Sequence, residues 1–298
     1  MEDISYKCNF IVDKHKCIKC GKCKNVCNGM VIEYDNEGYP YIKPFERFGW
    51  RGCWKCEHCL SVCPTGAISI FNKKPEDSTL PPSDKISDDI ERLVKFRRSC
   101  RRYLDKNVDS KIVDKILSCM ENVPTGGNSM SVEYTVIDDK NVVDEIRHVT
   151  YKKMDDLAKK GIYTSSFSNF YYSKMKESEK TVRKDDLLFC GAPHLFIAHK
   201  RAEGKWAEDA KVECIIATTY FEIIANAYGL GTLIMSYSAE VLNELSPEAK
   251  DMLGIPNNHC MPLIVGFGYP EIKYARGVQK DRKRLIHRRS ERLLWNLY

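Results

Sequence analysis

Apolar positions recur at helical spacing along much of the chain beyond residue 87. Ile90, Leu93 and Val94, continued by Arg97, predict a helix that opens near Ser87 or Asp88. Ile112, Val113, Ile116, Leu117 and Met120 share one face of a second helix over 110–122. A third is expected over 141–160, and a long apolar one over 209–228. Alternation at Val132, Tyr134 and Val136 predicts a strand. Further strands are expected over 195–199, after the glycine break Gly229-Leu230-Gly231-Thr232, and over 261–267. Helices outnumber strands in mixed order, so this part reads as α+β or as a three-layer α/β/α sandwich. Earlier in the chain, apolar residues flank the turn Asp35-Asn36-Glu37-Gly38, which predicts a hairpin over 31–42. Residues 73–87 are polar, contain three prolines and read as a linker. Over 161–185, Tyr163, Phe167, Phe170, Tyr171 and Tyr172 stand among serines and lysines without a period. That segment reads either as a lid over a site or as a surface excursion.

The 298 residues leave room for two domains. No apolar run approaches the ~20 residues that cross a bilayer. The net charge of +6 is spread among acidic residues, which argues against nucleic acid as a partner. Eight of the 14 cysteines form two copies of one motif: Cys17, Cys20, Cys23, Cys27 and Cys53, Cys56, Cys59, Cys63. The second copy lies 36 positions after the first. A C-x₂-C-x₂-C-x₃-C run suits a four-iron, four-sulfur cluster, because three close thiolates cap one face of a cubane and the fourth reaches a neighbour. Structural zinc also uses C-x₂-C pairs but draws them from separated pairs. A disulfide framework fits neither the length nor the expected lack of a signal peptide. The other six, Cys8, Cys100, Cys119, Cys190, Cys214 and Cys260, are scattered without a pairing pattern, and free thiols point to a reducing cytoplasm.

Residues 1–72 resemble a bacterial two-cluster ferredoxin. The resemblance implies that Cys17, Cys20, Cys23 and Cys63 hold one cluster, and Cys53, Cys56, Cys59 and Cys27 the other. Asn28 stands where that family usually has proline, so a looser turn is expected there. Phe45, Phe48, Trp50 and Trp54 either shield a cluster from water or pack a small core.

The run Arg97-Arg98-Ser99-Cys100-Arg101-Arg102-Tyr103 is a basic knot at an expected helix end. Guanidinium forks pair with phosphate oxygens, although arginine runs also serve as solvated faces. Further along come Pro124-Thr125-Gly126-Gly127-Asn128, then Gly231-Thr232-Leu233-Ile234-Met235-Ser236 after the long helix. A Gly268-Tyr269-Pro270 turn and a late basic pair, Lys280 and Arg282, complete the series. In this order the chain from about 89 onward resembles the nitroreductase family of FMN-dependent flavoproteins. The resemblance implies that Arg97, Arg98, Ser99 and Arg101 hold FMN, with Lys280 and Arg282 closing over its phosphate. Ile234, Met235 and Ser236 would run behind the flavin ring. Pro124, Thr125, Gly126 and Asn128 would reach it from a partner subunit, which requires a homodimer. Thr125 keeps the hydroxyl of the usual serine, and Ser236 replaces an acidic residue of some members. No side-chain base is expected, since the flavin carries the chemistry. Cys100 reads as a packed structural cysteine, and His194, His199 and His259 as isolated core or surface residues.

The expected architecture is therefore a ferredoxin-like domain (1–72), a linker (73–87) and an FMN-binding α/β/α domain (88–298). The expected activity is reduction of a small organic acceptor: a nitroaromatic, a quinone or an activated alkene. Clusters pass single electrons, so reduced ferredoxin or a similar donor is expected. A non-catalytic electron carrier or redox sensor is the alternative from another class. A specialised ene-reductase or reductive dehalogenase is the alternative within this one.

Overall fold

The computed structural model describes residues 2–50, 52–163, 172–174, 176–177, 186–244 and 246–279. Lys280, Arg282 and most of the aromatic segment at 161–185 lie outside the described residues.

The first region is built on a repeat. Short helices α1 (Lys22–Asn25) and α2 (His58–Ser61) stand 36 positions apart, as the cysteine motifs do. Strand β1 (Ile11–Val12) pairs antiparallel with β4 (Ile68–Ser69). The expected hairpin is present, with β2 (Ile32–Tyr34) against β3 (Pro40–Ile42). The apolar core is small: Val31, Ile32, Phe45, Leu60, Ile68 and Ile70, packed against buried cysteines. A core of this size stabilises little by itself, so bound metal is expected to supply much of the folding energy.

The second region is a three-layer sandwich. Its sheet runs in the order β5 (Glu133–Ile137), β6 (His194–Arg201), β9 (Ile264–Gly268), β7 (Gly231–Met235), and every pairing is antiparallel. A short strand, β8 (His259–Cys260), pairs with the end of β6. Against one face lie α4 (Ser110–Met120) and α6 (Ala207–Ala227), through Ile116, Cys214, Ala217, Phe221 and Ala225. Phe221 stacks on Phe196 of β6 at 3.9 Å. The other face carries α5 (Lys140–Lys159), α7 (Ser236–Glu244) and α8 (Pro247–Met252), through Val143, Ile146, Met154, Val241, Leu242 and Ala249.

Two boundaries differ from expectation. The helix α3 (Ile86–Phe96) starts inside the expected linker and stops before Arg97, whose backbone has turned extended (φ −50°, ψ 135°). Its apolar residues Ile86, Ile90, Val94 and Phe96 stay exposed, and no residue of α3 is buried. The last strand opens at Ile264, not Met261, because Pro262 has no N–H to give the ladder.

Asp186 ties α5 to the start of β6. Its carboxylate accepts from Arg147 Nε (2.8 Å), Tyr151 Oη (2.7 Å) and the backbone N–H groups of Leu188, Phe189 and Gly191. Asp186→Ala would take one carboxylate from Arg147, which keeps Asp144 and Ala192 O, and would leave the N–H groups of Phe189 and Gly191 without their acceptor. The expected cost is about 1–3 kcal/mol, read as a lower urea midpoint for the sandwich; an unchanged midpoint would remove Asp186 from that role.

Candidate cluster and cofactor sites

The eight motif cysteines converge on two enclosures. One is lined by Cys17, Cys20, Cys23 and Cys63; the other by Cys27, Cys53, Cys56 and Cys59. The fourth cysteine of each motif thus faces the other motif's triple. The turns between ligands use left-handed backbone at matching positions: Lys19 and Gly21 in the first motif, Lys55 and Glu57 in the second. Such turns aim successive N–H groups into a concavity suited to negative charge. One of these groups reaches sulfur, Lys55 N–H donating to Cys53 Sγ (3.4 Å), and beyond the motif Ala67 N–H donates to Cys63 Sγ (3.2 Å). Cys8, scattered in sequence, is fully buried here and hydrogen-bonds Cys53. That bond and then burial push its thiol well above the usual range, so it stays protonated as the donor.

The aromatics divide. Phe45 is buried and meets Phe48 edge-on at 5.3 Å, so both pack the small core. Trp54 lines the second enclosure. Trp50 shields nothing by burial: it is 79% exposed and lies instead beside Gly127, where an added Cβ would stand 3.4 Å from its indole nitrogen.

The basic knot runs beside β7. Ser99 bridges Thr232, and Cys100 N–H donates to Thr232 O (2.8 Å). Arg97 Nη1 donates to Glu222 Oε1 on α6 (3.1 Å). Arg98 gives one N–H to Arg97 O, while its Nε and Nη2 are buried without a hydrogen-bond partner among the described residues. Unmet guanidinium donors are costly, and an anion is what would satisfy them. Ser99, Cys100, Arg101 and Arg102 line a groove of about 750 Å³ that Glu271, Ile272 and Tyr274 close from the far side. Cys100 is structural: burial pushes its thiol up, and a Cβ on Gly231 would come within 2.6 Å of its Sγ. Met235 is buried in the core, so only its backbone is available to a ligand, while Ile234 is half-buried and Ser236 is exposed.

The loop at 124–130 is held from three sides. Thr125 Oγ1 accepts from Met130 N–H (3.0 Å). Gly126 N–H donates to Glu213 Oε1 (2.8 Å), and Lys200 Nζ donates to Glu213 Oε2 (2.6 Å). Asn128, itself left-handed at φ 53°, donates from Nδ2 to the carbonyls of Trp54 (3.1 Å) and Lys55 (3.2 Å). Its amide therefore clasps the ligand turn between Cys53 and Cys56. Pro124 is exposed. Gly126 lines a second groove of about 500 Å³, with Trp50, Lys200, Trp206, Glu213 and Ile216 among its walls. Within one chain the knot and the loop line separate grooves that share no residue.

Sequence reading missed Glu213, Glu222 and Lys200. Two carboxylates inside the most apolar helix were the available signal. Of the three histidines, His194 stands as expected and the other two do not. His194 is core, accepting Val108 N–H at Nε2 (2.8 Å), and burial holds its pKa below the usual value. His199 and His259 are not isolated, for their Nδ1 atoms lie 3.0 Å apart.

Comparison with known proteins agrees with this geometry. The Nitroreductase family profile matches residues 94–269, and the 4Fe-4S dicluster domain profile matches residues 16–68. A protein of Archaeoglobus fulgidus, provisionally named an NADH dehydrogenase/NAD(P)H nitroreductase, is 24% identical over 60% of this chain and 84% of its own length. An uncharacterized ferredoxin of Methanocaldococcus jannaschii is 38% identical over 22% of this chain and 82% of its own. Among solved structures, an FMN-bound nitroreductase of Desulfitobacterium hafniense shares the fold with a TM-score of 0.52 at 16% identity. The match covers 67% of this chain and 98% of that one. No helix among the described residues is long and apolar enough to cross a membrane. With its profile spanning more than half the sequence, the chain belongs to the nitroreductase family of oxidoreductases and carries a ferredoxin-type 4Fe-4S dicluster domain ahead of that fold.

Proposed function

We propose that the protein is a cytoplasmic, ferredoxin-coupled and FMN-dependent reductase of a small organic acceptor, such as a nitroaromatic, a quinone or an activated alkene. When bound, two clusters supply single electrons and FMN pairs them for two-electron delivery. The observation that carries this reading is the clasp of Asn128 on Trp54 and Lys55, which joins the Cys53 ligand turn to the loop at 124–128. Electron transfer needs close approach, and this contact provides it without a swinging linker.

The residues divide the work. The two cysteine quartets bind the clusters, and inward N–H groups together with the Cys8 thiol offset charge on the ligand sulfurs. Arg98 presents its unmet donors to the FMN phosphate, beside Arg97, Ser99 and Arg101. Lys280 and Arg282 join them by resemblance. The backbone at Ile234, Met235 and Ser236 lies behind the ring. Pro124, Thr125, Gly126 and Asn128 come from the second subunit of a homodimer. The separation of knot and loop into two grooves supports that sharing, as does the exposed apolar stripe of α3. The domain limits proposed are 1–72, 73–87 and 88–298.

Four outcomes test this. Anaerobically prepared protein is expected to hold about eight irons per chain, from two four-iron clusters. In it, Cys8→Ala removes a hydrogen bond to Cys53 Sγ and is expected to make that cluster's midpoint potential more negative, since such bonds tune it. A redox titration followed by EPR that shows equal potentials would separate Cys8 from the cluster. Arg98→Ala is expected to weaken FMN binding to apoprotein by about 1.5–3 kcal/mol, the worth of hydrogen bonds to a charged group. Unchanged affinity would mean those donors face something else. Asn128→Asp sets a carboxylate against two carbonyls, and loss of ~1.4 kcal/mol or more of docking should slow ferredoxin-driven turnover about tenfold. Because Asn128 is also placed at the partner's flavin, turnover is read per bound FMN. Full turnover in that variant, or in a chain lacking residues 1–72, would take the clusters off the electron path.

A further inference from the structure

We propose that Glu133, His199 and His259 form a zinc site that joins strands β5, β6 and β8, apart from the clusters and the flavin grooves. Strand pairing sets Glu133 directly across from His199, and His259 across from Arg201, two positions further along β6. Three potential ligands thus leave three adjacent strands at one place. Their donor atoms all lie within 4.8 Å of one another.

The geometry of the two imidazoles is the main observation. Their rings are tilted by 42° with centroids 5.3 Å apart, so they do not stack. Instead the two Nδ1 atoms converge to 3.0 Å. Two neutral ring nitrogens that face one another need something between them, either one shared proton or one cation. Zinc bonds of about 2.0–2.1 Å at a tetrahedral angle place two nitrogens ~3.3 Å apart, a few tenths from the separation here. His199 Nε2 meets Thr135 Oγ1 at 3.0 Å. A ligating histidine commonly gives its other N–H to such an outer partner, which fixes the tautomer and aims the bare nitrogen at the metal. Glu133 Oε1 stops 4.0 Å from His259 Nε2, too far for a hydrogen bond, and its side chain is 62% exposed and free to swing inward.

Two imidazoles and a carboxylate are a donor set for zinc, with water completing the shell. The surrounding charges set the affinity. Lys250 on α8 is buried, and its charge disfavours a cation at His199. The carboxylate of Glu133 offsets it. Arg201 is already engaged by Glu203, which also accepts from Asn258 Nδ2 (2.9 Å) and so fixes the turn before His259. Cys260, next in sequence, faces away toward Cys214 (Sγ to Sγ 4.0 Å), so no thiolate joins the set.

The test uses the full-length protein with clusters and flavin loaded, equilibrated anaerobically with zinc sulfate and desalted. Elemental analysis is expected to find about one zinc per chain. His259→Ala should lose it, and Glu133→Gln, a surface change, should weaken retention about tenfold or more. Lys250→Met should hold zinc more tightly. Iron and FMN contents serve as controls and should match the parent. X-ray absorption at the zinc edge should show nitrogen and oxygen neighbours with no sulfur. Failure to retain zinc, equal retention in His259→Ala, or a sulfur shell, which would place the metal on cysteines, overturns the proposal.

Discussion

Two carboxylates on α6 fix the arrangement of everything that surrounds this sheet's functional edge. Glu222 holds Arg97, and Glu213 holds both Lys200 and the N–H of Gly126. Both are nearly buried, so each needs its cationic partner to offset desolvation. They are nine positions apart in sequence. On an α-helix that is about 13.5 Å of rise and two and a half turns, which puts them on opposite sides. The basic knot and the loop at 124–128 are consequently held apart by one rigid rod. In the proposed homodimer each chain would supply two half-sites, and a twofold axis would bring unlike halves together. In the proposed dimer the helix measures the distance between cofactor-gripping and cofactor-covering residues.

Much of this was legible in the sequence because it is local. The hairpin turn, the helical stripes and the glycine break all express themselves within a few residues, and each element appears near its expected place. The cysteine motifs were legible for the same reason. The misses are long-range. His199 and His259 are 60 positions apart, and only the pairing of β8 with the end of β6 brings them together. Cys8 reads as a stray thiol until the fold buries it against Cys53. Arg97 and Arg98 look equivalent in a run of arginines. Burial distinguishes them: one is neutralised by Glu222, the other is left with open donors. Trp50 was expected either to shield a cluster or to pack a small core, yet it lies beside a glycine of another region and stays at the surface.

Gly127 and Asn128 show why that contact is demanding. Both sit in the left-handed region, natural for glycine and tolerated by asparagine. A β-branched residue at 128 would be strained, and a side chain at 127 would press on Trp50 at 3.4 Å. Asparagine is also the residue whose short amide can give two hydrogens to the adjacent carbonyls of Trp54 and Lys55. Backbone strain, small size and donor geometry therefore select the same two residues. The resemblance to nitroreductases assigns this loop to the flavin, and the structure shows its asparagine side chain turned to the cluster turn instead. A loop that covers the flavin in the partner while gripping the iron–sulfur domain of its own chain would couple the two centres through one short segment. That coupling would make the ferredoxin domain part of the catalytic architecture, not a tethered accessory. The small apolar core of the first region fits this view, because a domain folded around its clusters becomes rigid only when they are present and then docks as one piece.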